Sequence, residues 1–315
     1  MIRHMATRPA TVRDSGAGCL LGLAAGDQGS GAAYGHHTQM AMVVAYELLR
    51  HGEVTQVRFR QALARLTGGR SGRSRVRGTP LWLPGYLERE KSEGLGAGQH
   101  GGIDVATRAI PIGVWHRNDP AGLVADSIRA AGSTHSDRES AVVAAILAGT
   151  VAGISHGQHG RDLVSGALEV GLMAAARLET DESFEEDPTP LLDRLRSLMP
   201  MVGEDPATII RAANAERDSL SAILAGVMIG APLTREPFDA ITAVASEHRR
   251  DIDAVVSALV GARVGLISWP SSIANDTWFA EVGRRLATGV AAVDDLPDLF
   301  EVEDRLSHGP PGGFR

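Results

Sequence analysis

Apolar positions along this 315-residue chain recur at helical spacing, and no stretch alternates long enough to read as a sheet strand. Met40, Val43, Val44 and Leu48 share one face of a helix predicted over Thr38–Arg50, with Gly52 just past its end as a stop signal. Asp119-Pro120 opens a second helix, Asp as N-cap and Pro at the first helical position. Ser136 and Glu139 have the spacing of a capping box in front of an apolar helix that runs to about Ser155. Asp205-Pro206 and Glu236-Pro237 repeat the acidic-then-proline opening, and Ser219–Ile229, Asp251–Val264 and Asp276–Ala287 complete the set. The pattern predicts one all-α domain over residues 1–315. Residues 1–14 read as a loose leader and residues 307–315 as a disordered Gly/Pro-rich tail.

Two apolar runs raise the question of membranes. Cys19 to Ala25 is short, glycine-broken and followed by Asp27, which favours a buried helix over a signal peptide. Ser140 to Gly160 has a core of about 15 apolar residues, short of a bilayer span. Neither run supports membrane association.

Composition narrows the class further. A hydrophobic fraction of 43% can bury a core without staples, and the single cysteine, Cys19, excludes a disulfide framework or a Cys-based zinc module. That usage fits a reducing cytoplasm. A net charge of −7 argues against a broad grip on nucleic acid, and 4% aromatics argues against a sandwich or barrel. Arginine almost wholly replaces lysine, as in GC-rich bacterial coding, so a lysine catalyst would have to be Lys91.

Candidate chemistry sits in short segments. Gly26-Asp27-Gln28-Gly29 is followed by His36-His37-Thr38 at a helix start, and Asp251-Ile252-Asp253 opens a later helix. Side chains at i and i+2 inside a helix diverge by about 200°, so the two aspartates converge only where the chain enters the helix. The same placement also suits plain capping of free N–H groups.

The order of these segments resembles the ADP-ribosylglycohydrolase family. The opening Gly-Cys-Leu-Leu-Gly-Leu-Ala-Ala-Gly-Asp, the Ala106–Gly113 block, Ser133-Thr134-His135-Ser136, and Arg250–Gly261 are similar to family blocks in the same order, between about Gly16 and Trp278. The resemblance implies a compact orthogonal all-α bundle of many helices and a two-magnesium centre. It assigns the metal ligands to a Thr-Asp-Asp set and to an Asp-x-Asp-Thr set. Here those positions read Gly35-His36-His37 and Asp251-Ile252-Asp253-Ala254. Magnesium demands hard oxygen donors, so a closely spaced Mg pair is not expected. The phosphate loop is similar only in part at Gly101-Gly102-Ile103-Asp104, and the segment between Gly29 and His36 is short.

Three readings follow. His36, His37, Asp251 and Asp253 could hold one transition metal (Zn, Mn, Fe or Ni) that activates water toward a ribosyl carbon. Without metal, Asp251 and Asp253 could stabilise an oxocarbenium-like centre or act as base while His36 or His37 protonates the leaving group. The third reading is a binding protein that keeps the cleft without turnover. Asp27, Thr38, Gly101, Gly102, Asp104, His135, Trp82 and Arg250 are the candidate substrate contacts. Arg108 reads as a buried structural ion pair, the arginines from Arg70 to Arg77 as a solvated basic loop, and Trp115 as a core anchor. The expected partner is a small molecule, ADP-ribose- or nucleoside-like, with no nucleic acid or membrane, bound by a monomer or small homo-oligomer.

Overall fold

The computed structural model describes residues 10–28, 33–68, 74–78, 83, 103–185, 187–215, 218–234, 236–247, 250–266, 269, 273–291 and 293–308. Along them run α1 (Val12–Gly26), α2 (His36–His51), α3 (Gln56–Leu66), α4 (Ile103–Thr107), α5 (Ile110–Trp115), α6 (Pro120–Gly132), α7 (Arg138–Ser155) and α8 (Gly160–Leu178). They continue as α9 (Thr189–Leu198), α10 (Pro206–Ala212), α11 (Ser219–Gly230), α12 (Phe238–Ser246), α13 (Arg250–Val264), α14 (Asp276–Thr288) and α15 (Leu299–His308). Among the described residues the only extended pairing is an isolated bridge between Asp137 and Glu185, so the fold is all-α, as its periodicity predicts.

Helix α7 is the centre of the bundle. Every residue from Ser140 to Ile154 is buried, and α4, α5, α6, α8, α11 and α13 all pack on it. It is long and apolar enough to cross a membrane by length and composition, yet 83% of it lies inside the fold, which makes it a core helix. The second layer is built on α1, which packs along α13 and α14. Burial drives the Cys19 thiol of α1 up to about 12, which leaves it inert as a nucleophile at neutral pH.

Most helix ends are capped as the sequence predicts. Asp119 accepts from Gly122 N–H (3.0 Å) ahead of Pro120, Asp205 from Thr208 N–H (3.0 Å), and Gly52 closes α2 in the left-handed region at φ 76°. Arg263 donates to the carbonyls of Gly230 (3.1 Å) and Ala231 (2.6 Å) at the end of α11, and burial pulls its guanidinium down to about 10.

Four expectations shift. The N-cap of α7 is Asp137, which accepts from Ser140 N–H at 2.7 Å, and not Ser136. The carbonyl of Ser136 accepts Glu185 N–H (2.7 Å) and Arg138 N–H donates to Glu185 (2.9 Å), so this pairing keeps the chain extended one residue further. Beyond Glu236 the helix begins only at Phe238, with Pro237 as N-cap and no side-chain cap bond. Val12–Asp14 belong to α1, because Thr11 caps it by accepting from Asp14 N–H at 3.2 Å. Residues 307 and 308 end α15.

Candidate functional site

The site begins with small residues. Gly18, Gly22 and Gly26 recur every four positions and so lie on one face of α1. A Cβ on Gly18 would collide with the Gly261 carbonyl, one on Gly22 with the Ser257 carbonyl, and one on Gly26 would lie 2.5 Å from the Asp253 carbonyl. The two backbones therefore pack directly, and the four-residue repeat locks α1 to α13 in a single register. That register puts the end of α1, and with it Asp27, beside the first turn of α13, where Asp251 and Asp253 stand.

Asp27 then organises the start of α2. Its Oδ2 accepts both the Thr38 N–H (2.8 Å) and the Thr38 hydroxyl (2.8 Å), so a carboxylate from one helix caps the next. Gly35, the N-cap residue, has no side chain to offer, and a Cβ there would lie 2.5 Å from Asp27 Oδ1. The next two residues, His36 and His37, converge on Asp104 of α4. His36 Nε2 lies 3.0 Å and His37 Nδ1 2.5 Å from the same oxygen, Asp104 Oδ1. Their ring centroids are 4.3 Å apart. Exposures of 19%, 14% and 5% for His36, His37 and Asp104 leave the two imidazoles partly open to solvent and the carboxylate buried beneath them.

A strap holds His36 from behind. Its Nδ1 is 3.1 Å from the Arg77 carbonyl, and Gly78, at φ 76°, passes so close that a Cβ would lie 3.0 Å from that nitrogen. The Arg77 guanidinium pairs with buried Glu303 of α15, which also receives the Tyr34 hydroxyl (2.8 Å) and the Gln39 amide (2.6 Å). Gln39 Oε1 accepts the Arg77 N–H at 2.9 Å. Asp104 is supported from its own side: Arg108 Nε donates to the Asp104 carbonyl (3.0 Å) and Arg108 Nη1 to Thr134 Oγ1 (2.8 Å), which meets His135 Nδ1 at 2.7 Å.

Electrostatics follow from this packing. Burial opposes the charged imidazole of His37, but the charge and hydrogen bond of Asp104, aided by Asp27 and Asp251, outweigh it and raise the group to about 9. For Asp104 burial pushes the carboxyl up, and the two histidines more than reverse this, holding it well below the usual range. Asp27 is raised by burial, only partly offset by His37 and Thr38. Burial lifts Asp253 to about 6, although Ser257 donates to it at 3.2 Å.

These positions test the expected site in detail. His36, His37, Asp27, Thr38 and Asp104 meet at the first turn of α2, and Asp251 is near enough to act electrostatically on His37. The metal-ligand quartet His36, His37, Asp251 and Asp253 is not one donor set. Among the described residues the group within mutual ligation reach is His36, His37 and Asp104, all donor atoms within 4.8 Å of one another. The α1–α13 register places Asp251 and Asp253 on a neighbouring helix start, whereas α4 brings Asp104 directly under the imidazoles. His135 is buried, with its Nδ1 against the Thr134 hydroxyl. Arg108 is fully buried, but its described partners are carbonyls and the Thr134 hydroxyl, with its guanidinium 5.0 Å from the Phe59 ring centroid. Arg75 and Arg77 are partly exposed but are not free charges: they pair with Asp304 and Glu303. Trp115 packs partly buried against the core. Trp82, Lys91, Gly101, Gly102 and Arg249 lie outside the described residues, as does the side chain of Arg250. The role of Glu303 was missed. Its only signal is a glutamate among apolar positions of an amphipathic terminal helix.

A magnesium pair does not fit this donor set. Gly35 and Ala254 lack side-chain oxygen donors, positions 36 and 37 offer imidazole, and Asp27 Oδ2 is committed to Thr38. A threonine at position 35 would meet the Asp27 carboxylate, since a Cβ there lies 2.5 Å from Oδ1.

The comparisons with known proteins agree with the architecture. A solved structure titled "ADP-ribosylglycohydrolase-related protein complex" is similar at a TM-score of 0.51 and 18% identity, covering 89% of this chain and 99% of that one. At that identity the likeness speaks for the fold alone. No curated protein matches significantly. The ADP-ribosylglycohydrolase family profile matches residues 8–305, nearly the whole chain, and the chain belongs to that family.

Proposed function

We propose that this chain is a divergent ADP-ribosylglycohydrolase-type hydrolase that cleaves the glycosidic bond of a ribosyl- or nucleoside-like small molecule without a magnesium pair. One observation carries the reading. At the helix start where the family resemblance implies acidic metal ligands, two imidazoles close on the buried Asp104 instead.

The chemistry then falls to this chain's own groups. Asp253, held near 6, is ionised at neutral pH and basic enough to take a proton from water. The water oxygen bonds to the anomeric carbon as the bond to the leaving group breaks and its electron pair departs with that group. The Asp251 carboxylate stabilises the oxocarbenium-like positive charge, and the His36–His37 edge stabilises the negative charge on the leaving side. Asp27 and Thr38 keep the cleft wall in place, while Gly101, Gly102, Trp82 and Arg250 are the proposed contacts to the rest of the substrate. The setting is a reducing cytoplasm, with a small-molecule partner and no nucleic acid or membrane.

The test is a turnover assay against ADP-ribosyl-arginine, ADP-ribosyl-serine and simple nucleosides, with wild type and Asp251→Asn. The reading expects magnesium-independent release of the ribosyl product from at least one substrate, abolished by the substitution. Cleavage stimulated strongly by Mg²⁺ overturns the divergent mechanism. A folded protein that binds these compounds and turns over none of them supports the binding-protein reading in its place.

A further inference from the structure

We propose that His36 Nε2, His37 Nδ1 and Asp104 Oδ1 are the three protein ligands of a single divalent transition-metal ion, Zn²⁺ first among its class. The inference deepens the reading above and uses the same cluster. Its readout is metal binding, so either can fail alone.

Three features of the geometry carry it. The donor types are two imidazoles and one carboxylate, all three donor atoms within 4.8 Å of one another. That set matches catalytic zinc centres with three protein ligands and an open position, and it lacks the oxygen count that Mg²⁺ or Ca²⁺ require. The second feature is the orientation of His36. A carbonyl only accepts, so the bond to Arg77 O at 3.1 Å puts the ring proton on Nδ1. The other nitrogen, Nε2, is the one that faces Asp104 Oδ1, at 3.0 Å. A backbone carbonyl on the outer nitrogen of a ligating histidine is the arrangement that fixes its tautomer in metal sites. The Arg77 carbonyl is itself fixed, through the Arg77 guanidinium and N–H, by Glu303 and Gln39. The third feature is the surrounding charge. Besides Asp104, both Asp27 and Asp251 act on His37, and negative charge near the donor atoms favours an added dication. The α2 N-terminus, whose dipole opposes a cation, is already capped by Asp27.

The experiment uses full-length protein purified without a histidine tag and stripped with chelator. Calorimetric titration with Zn²⁺, Co²⁺, Mn²⁺ and Mg²⁺ is run on wild type, Asp104→Asn and His36→Gln, with circular dichroism and melting curves confirming the fold. The expected result is one equivalent of Zn²⁺, bound more tightly than Mn²⁺, and no stoichiometric Mg²⁺. Each substitution weakens Zn²⁺ by at least about 10-fold, the scale seen when even supporting groups of a metal site are lost. Wild type that takes up no Zn²⁺ or Co²⁺, or that binds Zn²⁺ no more tightly than the folded variants, overturns the site. Tighter binding of Mn²⁺ than of Zn²⁺ overturns its assignment to the zinc class. Should both variants fail to fold, the visible spectrum of the wild-type cobalt form decides. Intense four- or five-coordinate bands support the site, and a weak aqua-like spectrum overturns it.

Discussion

At position 35 the chain has room for a hydrogen atom, because the Asp27 carboxylate fills the space a side chain would take. Gly35→Thr therefore displaces Asp27 and removes the cap on Thr38. A loss of about 1–2 kcal/mol in urea-melt stability is expected, the scale of a lost N-cap. Asp253 is the other residue whose surroundings set its chemistry. Burial lifts its carboxyl to about 6, and a general base works only when ionised. The sign is therefore fixed: kcat/KM is full above that value and falls as the pH drops through about 6. Asp253→Asn should lose about 10²–10⁴-fold in kcat and abolish this acidic limb. A rate that rises as the pH falls through 6 would make Asp253 an acid instead. At this scale the sequence offers His36, His37, Asp104, Asp251 and Asp253 as candidates, but not which of them meet. Asp104 lies 67 positions beyond His37, and nothing in local periodicity reports that α4 delivers it under the imidazoles.

Among the elements, the pairing of α1 with α13 fixes where Asp27 sits beside the α13 start. The glycines at 18, 22 and 26 face Gly261, Ser257 and Asp253 backbone to backbone, so a larger residue cannot be absorbed by a side-chain shift. Gly22→Val should cost about 3 kcal/mol or prevent folding, read as loss of soluble protein or a collapsed melting temperature. The same substitution at Gly203, where nothing lies within 4 Å of an added Cβ, is no control, because φ there is 98° and the strain is local. Ala at exposed Leu172 of α8 is the better comparison and should change stability little. Helix positions and most caps were legible, because Asp-Pro openings and 3.6-residue periodicity are local signals. The α7 cap moved by one residue because the bridge to Glu185 is a tertiary contact that outweighs the Ser136–Glu139 pattern. The α1–α13 register was written in the four-residue glycine spacing, yet that spacing acquires meaning only with the partner helix beside it.

Over the whole molecule, the last helix secures the first site residue. Glu303 of α15 is fully buried and holds Tyr34, Gln39 and Arg77, and the Arg77 carbonyl holds His36. Glu303→Ala leaves the Arg77 charge without its buried partner, which should destabilise the fold by about 3–5 kcal/mol. It should also loosen His36, visible as a changed ring resonance by NMR at temperatures where the fold persists. The structure thus ties the cluster at the α2, α4 and α13 starts to α1 and α15, and the proposal asks that cluster to hydrolyse a ribosyl bond without magnesium. The most direct measurement is steady-state hydrolysis of ADP-ribosyl-arginine, ADP-ribosyl-serine and nucleosides by the as-purified protein, with and without added Mg²⁺, beside Asp253→Asn. Equal wild-type rates in both conditions, with the folded variant inactive on the same substrate, are what the account predicts. A wild-type rate raised tenfold or more by Mg²⁺, or a variant as active as wild type, would contradict it.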